Sequence, residues 1–158
     1  MNKNNKAGQN TCLPKASIVM RNQNRFSLTS NCIKSLGELT YPNYEIIVVD
    51  DGSTDESPKM LKKTFPHITL IQNEKYMGYC KGFNVGIREA LKNNADYVFL
   101  VNNDTKDFSR DYLEEVTRVF EEDLKIGLVG SRVLDFNANE VWWGQVHQNH
   151  KMLGVESN

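Results

Sequence analysis

Val48-Val49-Asp50-Asp51-Gly52-Ser53-Thr54-Asp55 is the stretch from which the rest of the chain can be read. The β-branched run Glu45 to Val49 ends in two carboxylates, and a glycine that permits a tight turn follows them. Asp55 is then a good N-cap for a helix with Met60 and Leu61 on its buried side and Pro66 at its stop. A strand that ends in acid groups and turns at once into a helix is half of a βαβ unit.

Working outward, the same alternation recurs. Ala16 to Met20 reads as the first strand, Glu45 to Val49 as the second, Ile68 to Gln72 as the third, Tyr97 to Val101 as the fourth and Ile126 to Gly130 as a fifth. Between them Cys32, Ile33, Leu36 and Leu39 recur at helical spacing, as do Val85, Ala90 and Leu91 less strictly. Tyr112, Leu113, Val116, Val119 and Phe120 form the clearest apolar stripe. Tyr41-Pro42-Asn43 is a turn signal ahead of the second strand. Strands separated by helices with short connections predict an α/β fold, a Rossmann-like, mainly parallel sheet with helices on both faces.

Ligands of such sheets bind beyond the carboxyl ends of the strands. Those ends are polar here: Arg21-Asn22-Gln23-Asn24 after the first strand, Asp50 to Asp55 after the second, and Asn102-Asn103-Asp104-Thr105 after the fourth. A carboxylate at such an edge can accept from a nucleobase ring N–H or from ribose hydroxyls. The plainer alternatives are an Asp-Gly-Ser turn that caps a helix and an Asn-rich turn bonded to its own backbone. Carboxylates at two strand ends can also face one ligand, and Mg2+ or Mn2+ takes one or two of them and completes its shell with phosphate oxygens.

Composition narrows the classes further. The 158 residues are 39% hydrophobic and 25% charged with a net charge of −1, which fits one domain with its own core and supplies no basic face for nucleic acid. The three cysteines, Cys12, Cys32 and Cys80, form neither a disulfide framework nor a zinc knuckle and suit a reducing compartment. Residues 1–14 read as a disordered tail without a signal-like apolar region, and the longest apolar runs are too short to span a bilayer. Neither a Walker loop nor a dinucleotide GxGxxG follows the first strand. Glycines gather instead between Asn73 and Gly86, where backbone can approach a ligand closely and a helix start can receive negative charge.

Taken in order, these motifs resemble glycosyltransferase family 2. Val48 to Asp55, preceded by Tyr41-Pro42-Asn43-Tyr44-Glu45, is similar to that family's first nucleotide-binding signature. The glycine segment resembles its Asn-x-Gly-x-x-x-Gly-x-Asn-x-Gly region, and Asn102 to Thr105 resembles the Asn-Asn-Asp-Thr form of its DXD motif in rhamnosyltransferase-like members. The resemblance implies a GT-A-like fold and an inverting, metal-dependent hexosyl transfer from a nucleoside-diphosphate sugar to a glycan, lipid or other hydroxyl acceptor. It assigns Asp51 to the base, Asp50 to a structural or ribose-side role, Asn103 to the diphosphate and Asp104 to Mg2+ or Mn2+. Arg21, Asn22, Gly82, Asn84 and Asn102 complete the expected nucleotide-sugar contacts. A ring N–H for Asp51 to accept favours UDP, dTDP or GDP donors.

The chain departs from the pattern where Arg21 replaces a small or apolar residue, where Gln23 replaces an aromatic, and where Lys81 stands in the glycine segment as a phosphate contact or a solvated lysine. No general base is recognisable after Gly144, where Glu156 is the one carboxylate. The expectation is therefore a donor-binding domain over 15–144, incomplete at its carboxyl end, with 145–158 a tail or the start of an acceptor part. A cytoplasmic setting, at the membrane face or away from it, and self-association through surface near Val141, Trp142 and Trp143 belong to the same expectation. The alternative is a nucleotide-sugar-binding module without catalytic power. His147 and His150 have metal-compatible spacing but lie in an aperiodic stretch that favours solvated side chains.

Overall fold

The computed structural model describes residues 13–131, 133–134, 141–143 and 154–155. Its order is β1 (Ala16–Asn22), α1 (Phe26–Leu36), β2 (Tyr44–Asp51), α2 (Ser57–Thr64), β3 (Thr69–Asn73), α3 (Tyr79–Lys92), β4 (Tyr97–Val101) and α4 (Tyr112–Glu122). Four short strands follow, β5 (Gly130–Ser131), β6 (Val133–Leu134), β7 (Val141–Trp143) and β8 (Gly154–Val155). The central sheet has the order β3-β2-β1-β4, and every neighbouring pair is parallel. The chain thus steps outward from β1 to β3 and then crosses back to place β4 on the other side of β1. Right-handed crossovers in opposite directions put their helices on opposite faces, and the reversal opens a crevice at the carboxyl edge beside β1.

Strand parity sorts the side chains accordingly. Ile18, Met20, Ile46, Val48, Phe99 and Val101 face a core closed by Cys32, Ile33 and Leu36 of α1, Leu61 of α2, and Leu113 and Val116 of α4. Val19 and Ile47 face the other way, against Phe83 and Ala90 of α3. Each fully buried aliphatic side chain contributes roughly 1.5–3 kcal/mol, so the α1 side carries most of the stability. The α3 side is held by proximity: a Cβ on Gly86 would stand 2.3 Å from Val19 Cγ1, so only glycine lets α3 lie this close to β1.

Parallel β1 to β4 with helices on both faces agree with the sequence reading, and Tyr97–Val101 has the expected bounds. Several details differ. Residues 126–129 are loop, and the strand at that place is the two-residue β5, paired in parallel with β8, because Gly127 and the polar flanks give no β-branched run to extend it. β6 and β7 pair antiparallel. Met60 and Leu91 are exposed at 44% and 59%, since each lies one position off the buried stripe of its helix. Leu39 is buried but lies past the end of α1. Asp55 stands one residue ahead of the cap position, where its carboxylate accepts from the backbone N–H and hydroxyl of Ser57. The tail before Leu13, His147 and His150 lie outside the described residues.

Candidate functional site

The ends of β1 and β2 are both polar, and alternation sends their side chains in two directions. Asn22 and Asp50 are register partners and continue the α1 face of Met20 and Val48. Arg21 and Asp51 continue the α3 face of Val19 and Val49.

On the α1 face the polar groups satisfy one another. Asp50, 2% exposed, accepts at Oδ1 from the Ser53 backbone N–H (3.0 Å), and at Oδ2 from Asn22 Nδ2 (2.6 Å) and the Ser53 hydroxyl (2.6 Å). Thr29 donates its hydroxyl to Asn22 Oδ1 at 2.7 Å and accepts from Asn103 Nδ2 at 2.9 Å. Asn24, at φ 52°, accepts the Thr54 backbone N–H at 2.8 Å. Loops after β1, β2 and β4 are therefore locked by neutral donors around one buried carboxylate, which makes Asp50 a structural anchor in this geometry.

On the α3 face the balance is incomplete. Asp51 has no exposed side-chain surface; its Oδ1 accepts from Asn73 Nδ2 and the Met77 backbone N–H, both at 2.9 Å. Its Oδ2 lies 3.4 Å from Arg21 Nε, and both atoms are buried without a hydrogen bond. The Arg21 guanidinium carbon sits 5.7 Å and 5.5 Å from the ring centroids of Tyr76 and Tyr79, within cation–π range. Glycine makes room for this arrangement twice. A Cβ on Gly82 would meet Arg21 Cδ at 2.6 Å, and one on Gly52, at φ +71°, would meet the Tyr76 backbone nitrogen at 2.4 Å. Tyr79 also donates its hydroxyl to Asn102 Oδ1 at 3.0 Å, so a continuous bridge runs from Asp51 through Arg21 and Tyr79 to the end of β4.

Asp104 follows β4 at the same edge and is exposed. Burial first, and the negative charge of Asp104 second, push the Cys32 thiol up to about 12. Among the described residues no group of three or more His, Cys, Asp or Glu side chains could hold a metal. Asn84 lies on the exposed side of α3 outside this cluster, and Gly82 approaches Arg21. Lys81 and Cys80 are exposed on the first turn of α3. Thr29, Ser53, Asn73, Tyr76 and Tyr79 join the site without a role from the sequence reading; the one signal that could have found the last two is a pair of tyrosines close to Gly78 in Tyr76-Met77-Gly78-Tyr79.

A parallel sheet whose order reverses beside β1, with acidic and amide side chains collected at its carboxyl edge, is a ligand-binding α/β fold, and the solved structures it resembles make it one of the GT-A type. The chain belongs to Glycosyl transferase family 2, whose profile matches residues 17–156. It is 27% identical over 134 residues to a beta-monoglucosyldiacylglycerol synthase from Nostoc sp., covering 83% of this chain and 28% of that protein. It is also similar to the mannosyltransferase PcManGT from Pyrobaculum calidifontis in complex with GDP-Man and Mn2+ (TM-score 0.66, 24% identity, 79% of this chain and 37% of that one). The third likeness is to TarS 1-349 of S. aureus in complex with UDP-GlcNAc (TM-score 0.59, 25% identity, 68% of this chain and 31% of that one). The chain thus spans about a third of the length of these relatives. Among the described residues no helix is long and apolar enough to cross a membrane.

Proposed function

We propose that this chain forms the donor half of an inverting hexosyltransferase, binding a nucleoside-diphosphate sugar across the carboxyl edge of β2, β1 and β4. The observation that carries the reading is Asp51, a fully buried carboxylate with one oxygen left without a hydrogen bond next to the Arg21 guanidinium, which two tyrosine rings flank. An acceptor of that kind suits the ring N–H of uracil, thymine or guanine, and aromatic faces suit a planar base. The bound donors named for the similar structures, GDP-Man and UDP-GlcNAc, carry such bases.

Asp104 is exposed at the carboxyl edge, where a single carboxylate can serve a hard cation that takes few protein oxygens and fills its shell with phosphate oxygens. Mg2+ or Mn2+ held there would offset charge developing on the leaving diphosphate. Asn103 ties its loop to Thr29 and so fixes where Asp104 stands, while the amino end of α3, opened by Gly78 at φ +87°, presents backbone N–H groups toward the same edge. The acceptor is a hydroxyl of a glycan or lipid, and the relative from Nostoc sp. is named for a diacylglycerol-linked sugar. A thermal-shift series with UDP, dTDP, GDP and CDP, with and without Mn2+, tests the reading. Stabilisation by UDP or GDP that needs the metal is the expected result. Equal shifts with CDP would remove Asp51 from base recognition.

A further inference from the structure

Arg21 holds the place that the donor-site reading gives to a nucleobase. Its stem runs along the first turn of α3, where only a glycine at position 82 leaves room for Cδ. Its flat guanidinium is held near both tyrosine rings, and its Nε lies 3.4 Å from the one Asp51 oxygen without a hydrogen bond. A planar group with in-plane N–H donors, aromatic faces and a carboxylate at its end describes this guanidinium and a base edge equally well. The two cannot share the slot, because Asp51 has no exposed surface and the Arg21 side chain is 14% exposed.

We propose that Arg21 is a specificity-determining residue that competes with the nucleobase for Asp51. A base enters only by displacing it, which requires a ring N–H able to form the hydrogen bond that Arg21 Nε leaves unmade at 3.4 Å. The contact is strong enough to shield the buried carboxylate and weak enough, lacking hydrogen-bond geometry, to yield to a better donor. The proposal rests on the donor-site reading above and adds that this chain's own residue raises the threshold for binding.

The test compares the unaltered chain with Arg21→Met, which keeps the stem over Gly82 and drops the guanidinium. Calorimetric titration with UDP and with GDP should show binding about five- to twentyfold tighter in the variant, since a competitor that must leave lowers apparent affinity by the fraction of open sites. Arg21→Met also strips a buried carboxylate of its counter-charge and can cost the fold, so a second measurement uses the unaltered chain. Phenylglyoxal labelling of Arg21, followed by peptide mass spectrometry, should become several-fold faster on saturation with UDP. Equal or weaker binding by the variant, or protection of Arg21 by nucleotide, overturns the proposal while leaving the donor site in place. Failure of the unaltered chain to bind UDP, dTDP or GDP overturns the donor-site reading, and this inference with it.

Discussion

Asp50 and Asp51 are adjacent in sequence and both buried at the end of one strand, yet they face opposite sides of the sheet and differ in kind. Asp50 accepts from three internal donors, all neutral, on Asn22 and Ser53, and Asn22 joins it through Thr29 to Asn103 in the loop after β4. Asp51 accepts from two, and its second oxygen meets a guanidinium without a hydrogen bond. Burial of a polar group is tolerated in both cases, but only where its bonding is complete does it contribute fully to the fold. The α1 face is thus the sealed side of the site and the α3 face the side with unspent hydrogen-bonding capacity, which is where a ligand gains most.

The strongest way to break this contrast is Asp50→Ala. Three donors would lose their acceptor inside the protein, and stability should fall by about 3–5 kcal/mol, since a hydrogen bond to a charged group is worth about 1.5–3 kcal/mol and the donors are left buried without a partner. Urea unfolding followed by circular dichroism measures it. A loss below about 1 kcal/mol, the ordinary cost of a substitution, would show that the network is not the anchor described.

Asp51→Asn should give a smaller effect on stability and a larger one on binding. The amide oxygen can keep the contacts with Asn73 and Met77, while an NH2 replaces the oxygen that a base N–H would need. UDP affinity should fall by about tenfold or more, the worth of a hydrogen bond to a charged group, with stability falling by about 1–3 kcal/mol because the Arg21 guanidinium loses its counter-charge. Calorimetry on folded variant decides it. Unchanged UDP affinity would move base recognition away from this face.

Much of this contrast was open to a reader of the sequence, and part was not. The strand ends at Asp50, Asp51 and Asn102 to Asp104 stand out because apolar β-branched runs stop abruptly at them. Which aspartate faces which helix is hidden, because a strand buried on both sides carries no in-and-out alternation to read. The Arg21–Asp51 pair depends on β1 lying beside β2, a long-range fact that no local pattern encodes. The sequence marks Arg21 as an expected nucleotide-sugar contact and as a departure from the family pattern, and the structure supplies its partner, Asp51. The expected strand at Ile126 to Gly130 failed for a related reason: a short apolar run near a glycine is as compatible with a loop as with a strand.

Asp104→Ala should sharpen the comparison by leaving stability nearly untouched. The side chain is exposed and belongs to neither buried network, so unfolding should shift by less than about 0.5 kcal/mol. The Mn2+ dependence of nucleotide binding should disappear at the same time. Metal dependence that survives in the variant would place the cation elsewhere.

The smallest expected effect comes from the two described free cysteines, which sample the two faces directly. Cys32 is fully buried on the α1 face with its thiol against the Asn102 carbonyl at 3.7 Å, and Cys80 is exposed on the first turn of α3. Burial first, and the Asp104 charge second, push the Cys32 thiol from 9.0 up to about 12, so its neutral form is the one the fold accommodates. Since the thiolate is the reacting species, iodoacetamide at pH 8 should label Cys80 and leave Cys32 unmodified, as read by peptide mass spectrometry. The same shift fixes a sign for alkaline stability. Between pH 9 and 12 the folded chain retains a proton that the unfolded chain gives up, so the contribution is complete below about pH 9 and is lost as pH rises through that interval. Tyr44 and Tyr112, on the same face, are raised chiefly by burial and act in the same direction. Replacing Cys32 with Ala should therefore flatten part of the alkaline fall in unfolding midpoint, while replacing Cys80 with Ala should leave the slope as it was. Equal labelling of both cysteines at pH 8 would mean that the α1 face opens as readily as the rim of α3, and the division between a sealed side and a receptive side would no longer hold.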